Sequence, residues 1–403
     1  MSHKILSNVE VLGSVTCDAL IGDGAGFTTI PWIVATTSFT AVSGKGYIID
    51  ASSNPINITL PLTPANGDVI QLAVRNANNT VTVLGNGNKI ENEIRTLTMP
   101  GNGHRVLVYT DTFGWDDIYD PRFNSATIGF ISGGYATSYT NAINKFSFTS
   151  NVTASNHGVL SLARSQVAGH SSATKGFTSG GLTGATSDTI DAFNFSSNTT
   201  ALDHGNLSGL KRNHGGQSSH TDGFCSAGWI SSNLVSVDKF SFGSNTTAIV
   251  HGNLSQARSG LTGQNSSIDG YSSGGVVGSV ANTIDKFSFG SGNNAVDHGD
   301  LTVARNALCG QSSSTDGYSS GGSSYSVIDK FAFGSGNNAV DHGDLTVARY
   351  GLTGNSSSTH GFAAGASGPV LNTIDKFSFS SNVIAADHGD LLIAVSYAAG
   401  QQG

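Results

Sequence analysis

The sequence predicts an all-β protein in which a six-bladed β-propeller follows a smaller β-rich module. A unit of 44 to 47 residues recurs six times between residue 129 and the end of the chain. Each unit contains short stretches in which apolar and polar residues alternate, as they do in half-buried strands. The 53 glycines and the charged fraction of only 11% suit strands joined by tight turns rather than helices.

Three elements mark each repeat. The first, Gly-aromatic followed by small residues, begins at Gly129, Gly176, Gly223, Gly270, Gly317 and Gly361. The second carries two phenylalanines two residues apart, as in Ile143–Phe148. The third is a His-Gly pair, which occurs at His157, His204, His251, His298, His342 and His388. A four-stranded unit of this length cannot bury both of its faces alone, whereas radial stacking of such units can.

We assign four strands, A to D, to each unit, and the ends of the chain predict how the ring closes. Strand B is the Gly-aromatic element, strand C carries the phenylalanine pair, and strand D carries His-Gly. The first unit lacks a strand A, because only residues 123–128 precede Gly129. Residues 395–401 align with the strand A of residues 349–355. We therefore predict that the C-terminal segment completes the first blade.

The repeats resemble Kelch-type propeller blades over residues 122–403. The similarity rests on a Gly-Gly pair after an apolar strand, an aromatic residue in the next strand and an Arg before the following unit. Phe stands where Kelch blades have Tyr, the usual Trp is absent, and the glycine pair becomes Ala227-Gly228 and Gly365-Ala366. The resemblance therefore implies a divergent Kelch-like architecture, without indicating a partner.

The first third of the chain carries no trace of the repeat. Val9–Thr16 and Leu20–Phe27, with the turn signal Gly22-Asp23-Gly24, resemble segments near the N termini of phage fibre proteins. This resemblance implies that residues 1–32 form a virion attachment arm. An arm of this size buries too little surface to order alone, so we expect it to need a partner or sister copies.

Residues 33–120 look like a small all-β module of phage tail and fibre proteins. Alternating Ile56–Pro61, the Asn86-Gly87 turn and Gly114-Trp115 carry this resemblance. It implies a homotrimer and contacts with other virion proteins through residues 1–120. Asp116–Arg122, which contains Pro121, is the predicted hinge before the propeller, residues 121–403.

Composition narrows the function classes. The formal net charge of −8, with basic residues scattered along the propeller, argues against a nucleic-acid surface. No apolar run suggests a signal peptide or a membrane insertion, so we expect a virion protein made in the host cytoplasm. Cys17, Cys225 and Cys309 have no metal-ligand spacing and are expected to be small, buried or half-buried thiols. No cofactor is expected.

The residues that could carry chemistry recur by blade. Four of the His-Gly pairs are Asp-His-Gly, which could form a metal ring or a base with its orienting acid. A catalytic site breaks symmetry, so repetition favours a turn or an inter-blade hydrogen bond. The recurrent Arg residues are expected to cap strands or stack between blades: Arg164, Arg212, Arg258, Arg305 and Arg349. Glutamate is absent after Glu93, which removes one usual acid of glycan hydrolysis.

The loops between strands B and C differ in every blade, and they supply the candidate binding residues. Aromatic or apolar side chains stand there in positions where solvent is expected: Tyr135, Tyr139, Trp229, Leu234 and Tyr325. The alternative is that these loops have simply drifted. We predict a non-enzymatic phage appendage, tail-fibre-like or spike-like, whose propeller binds a host receptor or glycan. A capsid or baseplate decoration protein and a polysaccharide depolymerase are the alternatives.

Overall fold

The structure is a computed structural model that describes residues 32–76, 79–90, 96–99, 104–111, 114–117, 126–368 and 370–403. The chain divides into two compact units, Met1–Tyr119 and Asp120–Gly403. The predicted attachment arm, except for Trp32, lies outside the described residues, as does Cys17. Its partner-dependent ordering and the trimer stay predictions.

The N-terminal unit contains two β-sheets. Nine strands form them in the described part: β1 Trp32–Ala35, β2 Phe39–Thr40, β3 Lys45–Asp50, β4 Ile56–Thr59, β5 Val69–Asn76, β6 Val81–Leu84, β7 Thr96–Met99, β8 His104–Thr110 and β9 Gly114–Asp117. One sheet has the order β1-β3-β5-β8-β9 and the other β2-β4-β6-β7. Asp116 and Asp117 are the last residues of β9, so the first two residues of the predicted hinge, Asp116–Arg122, belong to a strand. The other residues of the predicted hinge lie outside the described part.

From β1 to β6, successive strands alternate between the two sheets. Along β1 to β6 each strand pairs in parallel with the strand two places earlier. The two sheets enclose one apolar core that includes Ile49, Ile58, Leu72 and Trp115. Asn86 and Gly87 both have positive φ, as the predicted turn requires. The turn lies between β6 and β7, which pair antiparallel. Pairing is therefore parallel among β1 to β6 and antiparallel for β7 to β9.

The second unit is a six-bladed propeller of four-stranded antiparallel sheets, as predicted. From blade one to blade six, strand A spans Ala399–Gln402, Ala168–Ser171, Gly215–Ser218, Thr262–Asn265, Cys309–Ser312 and Thr353–Ser356. Strand B spans Ile128–Ser132, Lys175–Ser179, Asp222–Ser226, Asp269–Ser273, Asp316–Ser320 and His360–Ala366. Strand C spans Ala142–Ser147, Thr189–Asn194, Ser236–Ser241, Thr283–Ser288, Val327–Ala332 and Leu371–Ser378. Strand D spans Ser155–Val159, Leu202–Asn206, Ile249–Asn253, Val296–Asp300, Val340–Asp344 and Ala386–Asp390. A small hairpin, Val276–Val277 with Ser279–Val280, sits in the fourth blade's B–C loop.

The C-terminal strand closes the ring, which confirms the prediction made from the ends of the chain. Ala399–Gln402 pairs antiparallel with strand B of the first blade, placing Gly129 opposite Gln402 and Ser132 opposite Ala399. Strand A is the innermost strand of every blade, because neighbouring A strands contact one another around the whole ring. The first blade is therefore assembled from both ends of the propeller.

Aromatic rings hold neighbouring blades together. The strand B aromatic of each blade stacks on the second phenylalanine of the next blade's strand C, at centroid distances of 4.5 to 4.8 Å. Within a blade, the glycine before that aromatic lies under the ring of the first phenylalanine, and a Cβ there would collide with it. This contact explains why glycine precedes the aromatic residue in all six repeats. The phenylalanine pairs are core, as expected.

Candidate functional site: the B–C loop face of the propeller

The six repeated histidines form a closed ring of inter-blade hydrogen bonds. Each Nε2 donates to a backbone carbonyl near the end of strand C in the next blade, at 2.7 to 2.9 Å. The last of them, His388, reaches Ser147 of the first blade. The structural interpretation of these histidines is therefore confirmed.

The aspartates of the Asp-His-Gly triplets do not orient the histidines. The Oδ1 of Asp297, for example, accepts a hydrogen bond from the backbone N–H of Gly299 at 3.0 Å. Asp203, Asp341 and Asp387 make the same local turn. In the first blade Asn156 provides the same acceptor through its amide oxygen. The carboxylate thus fixes the bulge in strand D, and it does not form a base with its acid.

Five blades contain a buried ion pair between a cation four positions before the start of strand A and an aspartate on strand C. In blades two to six the pairs are Arg164–Asp191, Lys211–Asp238, Arg258–Asp285, Arg305–Asp329 and Arg349–Asp375, with N–O distances of 2.9 to 3.2 Å. The prediction that Arg212 belongs to this series is wrong, because Lys211 occupies the position. In the first blade Val395 and buried Asn144 replace the pair. The cation and the carboxylate are therefore present together or absent together.

One junction departs from the repeat with a cluster of buried polar side chains. Ser179 Oγ lies 2.9 Å from His170 Nε2, 3.0 Å from His214 Nε2 and 3.2 Å from Cys225 Sγ. Burial lowers the pKa of His170 to about 4 and raises the pKa of the Cys225 thiol to about 12. Burial also lowers the pKa of His214, so both imidazoles are neutral near pH 7. Cys225 is a buried thiol, as predicted, and its raised pKa keeps it protonated and unreactive. In the described part of the chain no group of three or more His, Cys, Asp or Glu is placed to hold a metal ion.

Six glycines, one from each strand A, narrow the central channel. A Cβ on any of them would meet the backbone carbonyl of the glycine in the preceding blade: Gly169, Gly216, Gly263, Gly310, Gly354 and Gly400. A cavity of about 160 Å³ remains along the axis. This volume is enough for a few water molecules.

The channel mouth is framed by a second closed ring of backbone hydrogen bonds. One residue of each D–A connection has positive φ, and its N–H donates to the carbonyl of the equivalent residue in the preceding blade, at 2.7 to 3.0 Å. The ring residues are Gln166, Asn213, Gly260, Ala307, Gly351 and Tyr397. In blades four to six the ring therefore carries no side chain larger than a methyl group.

The B–C loops and the D–A connections, which join strand D of one blade to strand A of the next, lie on the same face. In five blades the first residue of the B–C loop forms an isolated β-bridge with the D–A connection, as Trp229 does with Arg212. In the fifth blade Ser323 donates its backbone N–H to the carbonyl of Asn306 at 3.0 Å. The variable loops are therefore fixed at their bases to a rigid scaffold, which is the usual arrangement of a binding surface.

The structure places all five predicted residues on this face but does not bring them together. Tyr135 and Tyr325 are each 41% exposed, whereas Tyr139, Trp229 and Leu234 are half-buried. The rings of Tyr135 and Tyr139 contact each other edge to face, with centroids 5.6 Å apart. Trp229 and Leu234 belong to the third blade. The set divides between two sides of the face.

Sequence reasoning missed two tyrosines of the D–A connections. The ring of Tyr397 lies beside Gly351, and that of Tyr350 lies beside Gly368. Burial, followed by the proximity of Tyr350, raises the pKa of Tyr397, so its phenol stays protonated near neutral pH. The positions equivalent to Tyr350 hold Ser165, Arg212, Ser259, Asn306 and Ser396. Comparing the repeats at the D–A connections, as was done for the B–C loops, would have found them.

Comparison of the chain with protein-family models and with curated proteins finds no match. Among the described residues none forms a helix long and apolar enough to cross a membrane.

Proposed function

We propose that this chain is a non-enzymatic bacteriophage virion protein, a tail-fibre-like or spike-like appendage whose propeller binds the host surface. One contrast carries the proposal. The polar residues that recur in the blades are engaged in inter-blade bonds and ion pairs. The residues that do not recur include exposed aromatics, and they lie on one face. The phage assignment itself rests on the resemblance of residues 1–120 to fibre proteins.

The experiment uses phage particles whose copy of this chain carries Trp229→Ser and Tyr325→Ser. We expect slower adsorption to host cells with an unchanged amount of the chain per particle, because Trp and Tyr are frequent energetic anchors of binding surfaces. The control is Asn337→Ala, an exposed C–D turn residue on the opposite face whose side chain bonds Ser335 in the same turn. Thermal unfolding of each purified chain checks that the fold is retained. Unchanged adsorption would remove the loop face from the proposal.

A second candidate is a decoration role in which the propeller docks on other virion proteins. Large apolar side chains occupy the same position of strand D in four consecutive blades: Leu202, Ile249, Val296 and Val340, at 61% to 74% exposure. They lie on the unpaired outer edge of each sheet, which is a template for protein contacts. A third arm of the experiment, Val296→Lys with Val340→Lys, separates the candidates. Loss of the chain from purified particles, with the loop-face variant still adsorbing normally, would favour decoration.

A further inference from the structure

The tyrosines of the loop face lie on one side of the ring. Seven of the ten tyrosines in the sequence belong to the propeller. Two of these, Tyr271 and Tyr318, are strand B core residues. The other five lie on the loop face in blades five, six and one: Tyr325, Tyr350, Tyr397, Tyr135 and Tyr139. We call these five residues the tyrosine arc.

The five tyrosines are connected through the backbone, and the rings of Tyr135 and Tyr139 contact each other. The carbonyl of Tyr325 accepts a hydrogen bond from the N–H of Arg349, the residue before Tyr350. Tyr350 and Tyr397 flank Gly351, whose Cβ position lies 3.1 Å from the Tyr397 ring. The N–H of Tyr135 donates to Ser396, the neighbour of Tyr397, at 2.8 Å. Backbone hydrogen bonds thus connect the tyrosine segments from one blade to the next around the channel mouth.

No cation lies in the segments that carry the arc, although the carboxylate of Asp344 accepts a hydrogen bond from Ser326 Oγ at 2.7 Å. The loops 135–141, 323–326 and 367–373, and the connection residues 306–307, 350–351 and 396–398, contain no Asp, Glu, Lys, Arg or His. Their polar residues are Ser, Thr, Asn and the tyrosines themselves. On the same face, blades two and three carry Asp188 and Arg212. An anionic ligand needs cations for its recognition, so the arc suits an uncharged partner.

Space is available beside the arc. Gly260, Ala307 and Gly351 form the mouth ring in blades four to six, and together with Tyr397 they line the axial cavity. Their small side chains leave the surface between the tyrosines and the channel unfilled. Binding sites of this kind combine aromatic faces with a few hydroxyl and amide groups that fix orientation.

We propose that the tyrosine arc binds an uncharged polysaccharide, with the C–H faces of its sugar rings on the tyrosines and its hydroxyls bonded to the surrounding Ser, Thr and Asn side chains. This inference rests on the proposed function and names the ligand class of its loop face. Phenols and hydroxyl groups both donate and accept hydrogen bonds, as sugar hydroxyls require. The occupant is a chain rather than a single sugar, because the arc extends over three blades.

The test uses the purified full-length chain and polysaccharide extracted from the host surface, separated by anion exchange into an uncharged and an anionic fraction. We expect binding to the uncharged fraction. Tyr350→Ser with Tyr397→Asn should weaken it at least about tenfold, whereas Tyr350→Phe with Tyr397→Phe should keep most of it. Tyr350→Ser with Tyr397→Asn introduces residues that other blades have at the equivalent positions, Ser165 and Asn213, so the fold should tolerate both substitutions. Asn337→Ala, in a C–D turn on the opposite face, is the control and should change binding less than about twofold.

The outcomes separate the two proposals. Binding to the anionic fraction alone, or binding of the uncharged fraction that survives Tyr350→Ser with Tyr397→Asn, overturns the tyrosine arc while the host-binding function stands. Binding to intact host cells with neither fraction bound also overturns the arc alone. If the unmodified chain binds neither the cells nor either fraction, both proposals fail.

Discussion

The first and the fifth blades solve the same packing problem with different chemistry. The fifth blade is continuous in sequence, and buried Arg305 and Asp329 pair at 2.9 Å between its strands. The first blade takes its innermost strand from the C terminus, and it has Val395 and Asn144 at the two corresponding positions. The fold therefore keeps a polar side chain on strand C at this place but does not need an ion pair. Each blade has either both charged residues or neither, because a single buried charge without its partner is costly in free energy.

The largest effect is expected when the C-terminal strand is removed, because only the first blade takes its strand A from the other end of the propeller. Truncation after Ala394 deletes Val395, Ala398 and Ala399, which are buried, and leaves the inner edge of strand B of the first blade unpaired. Because this exposes apolar core and orphans a row of backbone groups, we expect the free energy of unfolding to fall by more than about 4 kcal/mol. Urea unfolding followed by the fluorescence of Trp229 measures it.

Rescue distinguishes loss of the strand from general damage. A synthetic peptide of residues 395–403, added to the truncated chain, should restore the unfolding midpoint in a concentration-dependent manner. A scrambled peptide of the same composition is the control. A truncated chain as stable as the full-length one would mean that closure contributes little to the fold.

A smaller effect is expected when the fifth blade is given the chemistry of the first. Arg305→Val alone leaves Asp329 buried without its cation, although Thr302 still donates to it. Breaking a buried pair in this way costs about 3–5 kcal/mol. Adding Asp329→Asn should recover most of that loss, because the asparagine carries no charge. Its amide oxygen can still accept a hydrogen bond from Thr302.

Urea unfolding of the two single variants and the double variant forms a double-mutant cycle that measures this coupling. Arg349→Val with Asp375→Asn repeats the exchange in the sixth blade as a control. A double variant no more stable than Arg305→Val would show that Asn144 and Val395 depend on other features of the closing blade.

The repeat made the propeller predictable, and the limits of prediction follow from the same property. Six copies of the phenylalanine pair fixed the number of blades, and the orphan strand at Val395–Gln401 fixed the closure. Arg212 was misassigned because adjacent Lys211 and Arg212 are indistinguishable by charge, and only packing shows which one faces Asp238. The parallel winding of β1 to β6 could not be predicted, since alternation indicates strands and not their partners. Tyr350 and Tyr397 lie in the D–A connections, whereas the predicted binding residues all come from the B–C loops, which vary most between blades.

The smallest effect is expected in the second blade, where His170 occupies the position that Gln401 has in the first blade. Gln401 donates to the carbonyl of Phe177, while His170 lies between the Gln217 carbonyl, at 3.0 Å from Nδ1, and Ser179. Burial lowers the pKa of His170 to about 4 in the folded chain, against about 6.5 when unfolded. The unfolded state therefore binds more protons between these values. The stability contributed by neutral His170 is complete above pH 6.5 and is lost as the pH falls towards 4, by on the order of 3 kcal/mol.

His170→Gln should remove this part of the pH dependence while leaving stability near pH 7.5 within about 1 kcal/mol, because Gln217, Gln264 and Gln311 fill the same position in other blades. Urea unfolding between pH 7.5 and pH 4.5 measures the free energy of unfolding of the unmodified chain and of His170→Gln. His214 shares the buried cluster, and its pKa is also lowered, first by burial and then by Lys211, so His214→Leu should flatten the profile further. His360→Gln is the control, because this histidine is far less buried and only a small change in slope is expected. Parallel profiles for the unmodified chain and His170→Gln would mean that the acid sensitivity of the propeller arises elsewhere, with the six bonded histidines of strand D as the next groups to test.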